Sequence, residues 1–291
     1  MNALLILNFN SHKLIKVLLN EVHDFDSISY IVIVDNNSSE ISRNGILDIE
    51  SKFEKVKCLI SDSNGGYSKG NNIGLRWLSE HTNVENVFVS NPDILFSESY
   101  IDSISEKMIK NKEYGLLTGI MLDPDGNITR NQYWDLYSVY REVVRNLFFL
   151  NFFFQDNNKL IDRNRNEEIV DVVPAGSLIC VRLEYIKEIG FFDEDFFLFF
   201  EESSICNRLK KLGYKYGIFL GAEYYHYHSQ TINTTLKIQK KLKIYYESML
   251  IYQKKYNSIN RIQEIILVGS IKINMITSLT KSIVRNMIWK E

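Results

Sequence analysis

Residues 55–81 read KVKCLISDSNGGYSKGNNIGLRWLSEH, and their order carries the argument for the fold. KVKCLIS (55–61) is a short apolar run of strand length. NGGYSKGNN (64–72) packs three glycines and three asparagines into nine positions without a proline. IGLRWLSEH (73–81) continues as a helix. A strand that passes through a glycine-rich turn into a helix is half of a crossover unit, and such units build parallel sheets. The same alternation runs outward in both directions. Ahead lie ALLILNF (3–9) and YIVIVD (30–35), near-continuous aliphatic runs of the kind buried on both faces of a sheet. Between them SHKLIKVLLNEV (11–22) sets Leu14, Val17, Leu18 and Val22 at helical spacing, with Ser11 as N-cap. Behind lie NVFVS (86–90) and GLLTGIM (115–121), a fourth and a fifth strand. This order predicts an α/β fold with a doubly wound, mostly parallel sheet covered by helices on both faces. Ligands of such sheets bind beyond the carboxyl ends of the strands.

Composition sets the outer bounds. A chain of 291 residues, 45% hydrophobic, can bury one sizeable core and a small appendage. Its net charge of -2 offers nothing to a polyanion, so no nucleic-acid partner is expected. The charge is uneven, however. Residues 232–291 hold 11 basic and 3 acidic residues, a local +8 that leaves the preceding 231 at -10. The division predicts a body over 1–231 and a basic, amphipathic helical tail over 232–291. Cys58, Cys180 and Cys206 are odd in number and form no CxxC, which fits a reducing compartment and argues against disulfides or a thiolate zinc site. MNALLILNFNSHK at the start reads as a strand rather than a signal peptide. The most apolar stretch, LFFLNFFF (147–154), would span only about 12 Å as a helix, too short for a bilayer.

The predicted strand ends share one property. NFNS (8–11), VDNNSSE (34–40), SDSNGG (61–66) and SNPD (90–93) all finish in small polar or acidic residues. One such end is ordinary loop chemistry. Four on a single rim, where this topology binds nucleotides, point to a site.

Taken in order, ILNFNS, IVIVDNNSSE, SNGGYSKGNNIGL, SNPDILF, PAGSLICVRLEYIKEIGFFDEDFFLFFEESSICNRLKKLGYK and AEYYHYHSQT resemble the family-2 inverting glycosyltransferases, and among these the rhamnosyltransferase-like bacterial branch. The resemblance covers roughly residues 3–231 and implies a GT-A-like fold. It implies that Asn64, Gly65, Lys69 and Asn72 hold a nucleotide-sugar donor, and that Asp35 hydrogen-bonds the base beside Phe9 and Asn10. The glycines at 65, 66, 70 and 74 would let the backbone approach that ligand, ahead of a helix starting near Lys69. Asn91-Pro92-Asp93 stands where the family carries an Asp-x-Asp or a shortened equivalent, so Asp93 would bind Mg2+ or Mn2+ across the diphosphate. His226 falls at the family's histidine and would complete that set, with His228 two residues on as the competing choice.

The catalytic element departs from the family pattern. Glu201 and Glu202 stand at the acidic pair whose second member is the general base, so Glu202 takes that role in place of Asp. Ser204 replaces a later acid, and Arg208 is retained. The implied activity is transfer of a sugar, dTDP-rhamnose first and UDP-hexose next as donor, onto a polyprenyl-diphosphate-linked glycan acceptor in bacterial surface polysaccharide (O-antigen) synthesis. The aromatic segment 131–155 would shape the acceptor side. The basic tail would lie on an anionic membrane surface, leaving the protein cytoplasmic and peripheral on the inner face of the cytoplasmic membrane. The departures at Glu202 and Ser204 also support a rival class, a catalytically silent binding module of glycosyltransferase shape.

Overall fold

The computed structural model describes residues 1–130, 132–147, 160–163, 166–227 and 238–288. The chain begins β1 (Asn2–Asn8), α1 (His12–Val22), β2 (Tyr30–Asp35), α2 (Glu40–Glu50), β3 (Val56–Ile60), α3 (Gly66–His81) and β4 (Asn86–Ser90). It continues through β5 (Ile94–Leu95), α4 (Glu98–Lys110), β6 (Tyr114–Leu122), β7 (Tyr133–Trp134), α5 (Val139–Asn146), β8 (Ile169–Val170) and β9 (Val173–Pro174). The body closes with β10 (Leu178–Arg182), α6 (Leu183–Glu188), α7 (Glu201–Lys211) and β11 (Lys215–His226). Two tail helices follow, Ile238–Tyr256 and Arg261–Ile288.

The central sheet runs β3-β2-β1-β4-β10-β6-β11-β5. Strands β1 to β4 pair in parallel, as do β6 and β11, while β10 runs antiparallel between β4 and β6. The alternation in the first ninety residues therefore yields the parallel half as expected. The chain winds outward from β1 to β3 and then crosses back to β4, which creates a switch point between β1 and β4. Because β10 is reversed, its first residues lie on the same rim as the carboxyl ends of β1 and β4.

The apolar runs are continuous because both faces are covered. Leu4 and Ile6 face a core containing Ile15, Leu18 and Ile46, whereas Ala3 and Leu5 face Leu75, Leu78 and Ile205 on the other side. Helix α1 is turned by about one residue from its expected face: Ile15, Leu18, Leu19 and Val22 are buried and Val17 is exposed. Leu212, just past the end of α7, is likewise exposed while Ile205 and Leu209 are inside. Gly70 and Gly74 of α3 face Leu7, Leu5 and Val34 so closely that a Cβ at either would strike those side chains. Their absence of side chain lets α3 lie against the sheet.

Segment 131–155 contributes β7, which pairs with β9, and α5; residues 148–155 lie outside the described residues. The tail does not stand apart from the body. Ser248 donates to the Leu198 carbonyl at 2.8 Å, and Tyr245 packs on the rings of Phe199 and Phe200 at 5.6 and 5.5 Å. Leu267 and Ile271 of the second tail helix join Met249 and Val139 of α5 in a small core of their own. The expected boundary at 231/232 falls outside the described residues.

Candidate active site

The rim opens with a lattice of side chains at the ends of β1, β2 and β3. Asn8 donates to Asp35 Oδ1 at 2.7 Å, while the Ser38 N–H and Arg43 Nε reach Oδ2 at 3.1 and 3.4 Å. Asp35 is fully buried, and both of its carboxylate oxygens serve the fold. The neighbouring Asn36 donates to Asn64 Oδ1 and to the Gly66 carbonyl, and accepts from the Gly65 N–H at 3.1 Å. Phe9 is half-buried, and Asn10 stands exposed at φ 60° with its side chain accepting from the Ser39 N–H.

The glycine-rich turn is aimed at its own chain. Helix α3 starts at Gly66, three residues before the expected start, because Asn64 Oδ1 caps the Gly66 N–H at 3.0 Å and the Phe197 carbonyl caps the Tyr67 N–H at 2.8 Å. Gly66 has φ 81°, and a Cβ on it would collide with the Phe197 backbone carbonyl. Gly65 has an ordinary φ of -86°, and a Cβ there would meet only Lys69 side-chain carbons, the nearest at 2.6 Å. The close approach assigned to a ligand is thus made, at Gly66, Gly70 and Gly74, to protein atoms. Asn72 is likewise turned inward: it is fully buried, donates to the Phe192 carbonyl and Glu194, and accepts from the Phe192 N–H. Lys69 is exposed on the rim.

Further along, β4 ends in the Asn91-Pro92-Asp93 turn. The Asn91 N–H donates to the Ser177 carbonyl at 2.8 Å, fastening the turn to the start of β10. The short strand β5 then pairs with the end of β11, which brings His226 Nε2 to 3.4 Å from Asp93 Oδ1. Both side chains are largely buried. Two electron-rich atoms at that separation need a proton or a cation between them, and a hard carboxylate beside an imidazole is a sound donor pair for a divalent metal. The other ring nitrogen of His226 lies 3.3 Å from Met121 Sδ. Among the described residues no third His, Cys, Asp or Glu joins them. A bound cation would therefore fill its remaining positions from diphosphate oxygens and water. His228 lies outside the described residues.

The third part of the rim is acidic and strained. Phe199 and Phe200 sit at φ 71° and 68° immediately before α7, and Phe191 at φ 64° opens the same loop. Each left-handed phenylalanine costs on the order of 1–3 kcal/mol, and such strain persists only where surrounding contacts impose it. Here Asn72, Tyr245 and Ser248 supply those contacts. The result is to present Glu201 and Glu202 at the start of α7. Glu202 Oε1 accepts from the Gly176 N–H at 2.9 Å, and a Cβ on Gly176 would strike that oxygen. Tyr67 donates to the Gly176 carbonyl at 3.0 Å, so the same residue is held through both its N–H and its carbonyl. Burial pushes the Glu202 carboxyl above its ordinary pKa, and burial followed by the charge of Glu202 pushes Glu201 well above. Among the described residues, Glu201 Oε1 is buried without a hydrogen-bond partner. Ser204 turns its hydroxyl back onto the Glu201 carbonyl at 2.8 Å. Arg208 donates to the carbonyls of Ser204 and Ile189, and its remaining terminal nitrogen is buried with no partner among the described residues. Trp134, from the insertion, donates to Ser203 at 2.9 Å beside this turn.

The Asn91–Ser177 contact and the Gly176–Glu202 hydrogen bond thus bring the Asp93–His226 pair and the Glu202 carboxylate to neighbouring positions at the start of β10. Residues 4–184 match the model of the family described as Glycosyl transferase family 2. The chain belongs to that family. Within the glycosyltransferases it is 24% identical over 209 residues to the low-salt glycan biosynthesis hexosyltransferase Agl10 of Haloferax volcanii, covering 72% of this chain and 61% of that relative. The chain thus spans less than two thirds of that relative's length. Its fold matches the solved mannosyltransferase PcManGT of Pyrobaculum calidifontis, in complex with GDP-Man and Mn2+, at a TM-score of 0.59 and 10% identity, over 96% of this chain and 75% of that one. It also matches S. aureus TarS in complex with UDP-GlcNAc at a TM-score of 0.56 and 13% identity, over 94% and 72%. At those identities the likeness concerns the GT-A fold.

Sequence reasoning had not singled out Asn36, Gly176, Ser177 or Trp134. Gly176 carried a detectable signal, a glycine two residues before a strand whose amino end lies on the rim. Trp134 carried none, since only folding brings the insertion to α7.

Proposed function

We propose that this protein is an inverting glycosyltransferase that moves a sugar from a nucleoside-diphosphate donor to a hydroxyl of a lipid-linked glycan in surface-polysaccharide synthesis. The observation that carries this reading is the juxtaposition of Asp93 with His226 on the rim that also holds the half-buried carboxylate of Glu202. Glu202 takes the proton from the acceptor hydroxyl, and its raised pKa makes it a stronger base than a solvated glutamate. The freed oxygen bonds to the anomeric carbon from the face opposite the diphosphate. The anomeric carbon–oxygen bond breaks as it does so, and the nucleoside diphosphate leaves with that electron pair. Gly176 holds Glu202 in place through its N–H. Asp93 and His226 would hold Mg2+ or Mn2+, which when bound neutralises charge on the departing diphosphate. Lys69, exposed on the same rim, and Gly65, Asn64 and Asn91 complete the donor side, with Phe9 and Asn10 at the base. The motif form supports a dTDP-rhamnose donor, and the hexosyltransferase relative supports a UDP-hexose.

The test is a thermal-shift screen of both donors with and without Mn2+. A selective donor at 100 times its Kd should stabilise the protein by about 2.7 kcal/mol. Asp93→Ala should abolish the cation-dependent part of that stabilisation while the unliganded melting temperature holds. Unchanged Mn2+ dependence in the variant would remove Asp93 from the metal site. Donor binding with no transfer or hydrolysis would instead make the chain a silent binding module, a reading favoured by the partnerless Arg208 nitrogen opposite Ser204.

A further inference from the structure

The second tail helix is apolar on two opposite sides. Its inner side buries Leu267 and Ile271 against Met249 and Val139. At about 100° per residue, the opposite side gathers Ile262, Ile265, Ile266, Ile273 and Ile276 around Gly269. Those five are between 46% (Ile273) and 70% (Ile262) exposed. A helix that is hydrophobic all round is stable in water only when something covers its second side, and a contiguous patch of this kind marks an interaction surface.

Charge selects the occupant. No acidic residue falls among these isoleucines. Arg261 and Lys272 border them, exposed and without an ion pair among the described residues. Glu264 lies toward the body and is paired with Lys254 at 2.5 Å. The whole tail carries 11 basic against 3 acidic residues. Two copies of such a tail laid face to face would repel, whereas an anionic lipid surface attracts the basic border and accepts the aliphatic face. Among the described residues no helix is long and apolar enough to cross a membrane.

We propose that the helix Arg261–Ile288 docks the protein flat on an anionic lipid bilayer, with Ile262, Ile265, Ile266, Ile273 and Ile276 in the interfacial zone and Arg261 and Lys272 at the headgroups. The surface is argued from exposure and charge; that the membrane also carries the acceptor rests on the glycosyltransferase reading above. The experiment is flotation of the full-length protein with phosphatidylcholine vesicles with and without phosphatidylglycerol, at low and high salt. The wild-type protein should float with the anionic vesicles at low salt, and at least about tenfold less with neutral vesicles or at high salt. The double variant Ile265→Glu/Ile276→Glu, at two well-exposed positions, should keep the wild-type melting temperature and lose flotation by at least about tenfold. Equal flotation of the variant overturns the proposal. So does a wild-type protein that ignores the vesicles but sediments as a dimer the variant dissociates, because the face then belongs to a second copy. Donor binding measured in parallel keeps a failure of docking separate from a failure of the transfer reading.

Discussion

The two ends of the rim are both polar and use that polarity in opposite ways. At the β1–β3 end, Asn8, Asp35, Asn36, Asn64 and Asn72 are turned onto one another and onto backbone groups, and the polar atoms of Asp35 and Asn72 are consumed inside the fold. At the β4–α7 end, Asp93 faces a histidine across 3.4 Å, Glu201 keeps a buried oxygen without a partner, and two phenylalanines are held left-handed to present the acids. Satisfied polarity makes a rigid frame. Unsatisfied polarity and shifted pKa values are what chemistry requires, so under the proposed function the first end would shape the site and the second would react.

The sharpest break of that contrast is Glu202→Gln. It keeps shape and accepts the Gly176 N–H but cannot take a proton, so turnover should fall roughly 10²–10⁴-fold with donor affinity retained. Glu202→Asp draws the carboxylate back by about 1 Å and away from the Gly176 N–H, a displacement that can cost about 10²-fold. Single-turnover kinetics beside donor titration would check both. If Glu202→Gln transfers sugar at the wild-type rate, the reacting end has been assigned to the wrong carboxylate.

At the frame end the expected effect is on stability. Gly66→Ala puts a Cβ into the Phe197 carbonyl and an L-residue at φ 81°, and should lower stability by more than about 2 kcal/mol. Gly65→Ala keeps an ordinary φ and meets Lys69 side-chain carbons, its Cβ included at 2.8 Å, rather than a backbone carbonyl, so it should cost clearly less than Gly66→Ala. Urea titrations of the two variants give the comparison directly. Equal losses would mean that the turn is not braced on the 191–200 loop.

What could be read from sequence divides along the same line. The parallel half of the sheet was readable because period and strand length are local properties, and YIVIVD or NVFVS contains its own evidence of two-sided burial. The ends of those strands were readable as a rim for the same reason. The direction of β10 was not, since LICVR has the same apolar pattern whichever way it runs. Nor was the partner of each glycine: NGGYSKGNN states that a backbone approaches something closely, but only the fold shows that Gly66 approaches Phe197. Asp93 and His226 stand 133 positions apart in the chain and meet only because β5 pairs with the end of β11. Left-handed Phe199 and Phe200 were beyond reach, because phenylalanine is among the residues least suited to that conformation and local preference argues against it.

The smallest expected effect tests whether Glu201 is as unsatisfied as its surroundings imply. Burial first, and the charge of Glu202 second, raise its pKa in the folded protein well above the value near 4.3 of an unfolded glutamate. Between those two values the native state binds more protons than the unfolded state, so stability must fall as pH rises. Glu201 therefore leaves stability intact at pH below the unfolded value and withdraws it progressively as pH climbs toward the folded one. Glu201→Gln removes that titration and leaves a permanently neutral side chain of the same shape. Melting temperatures of the two proteins should lie closest at the acid end and diverge above about pH 4.3, the variant becoming relatively more stable. Glu202 titrates in both proteins, and because the two carboxyls interact the difference between the profiles reports what the pair loses when one member stays neutral. Turnover should suffer less than in Glu202→Gln, because adjacent helical residues point about 100° apart and only one can face the acceptor. Parallel melting profiles would show that Glu201 ionises without penalty, and the contrast between a satisfied frame and an unsatisfied reacting end would then rest on Glu202, Asp93 and His226 alone.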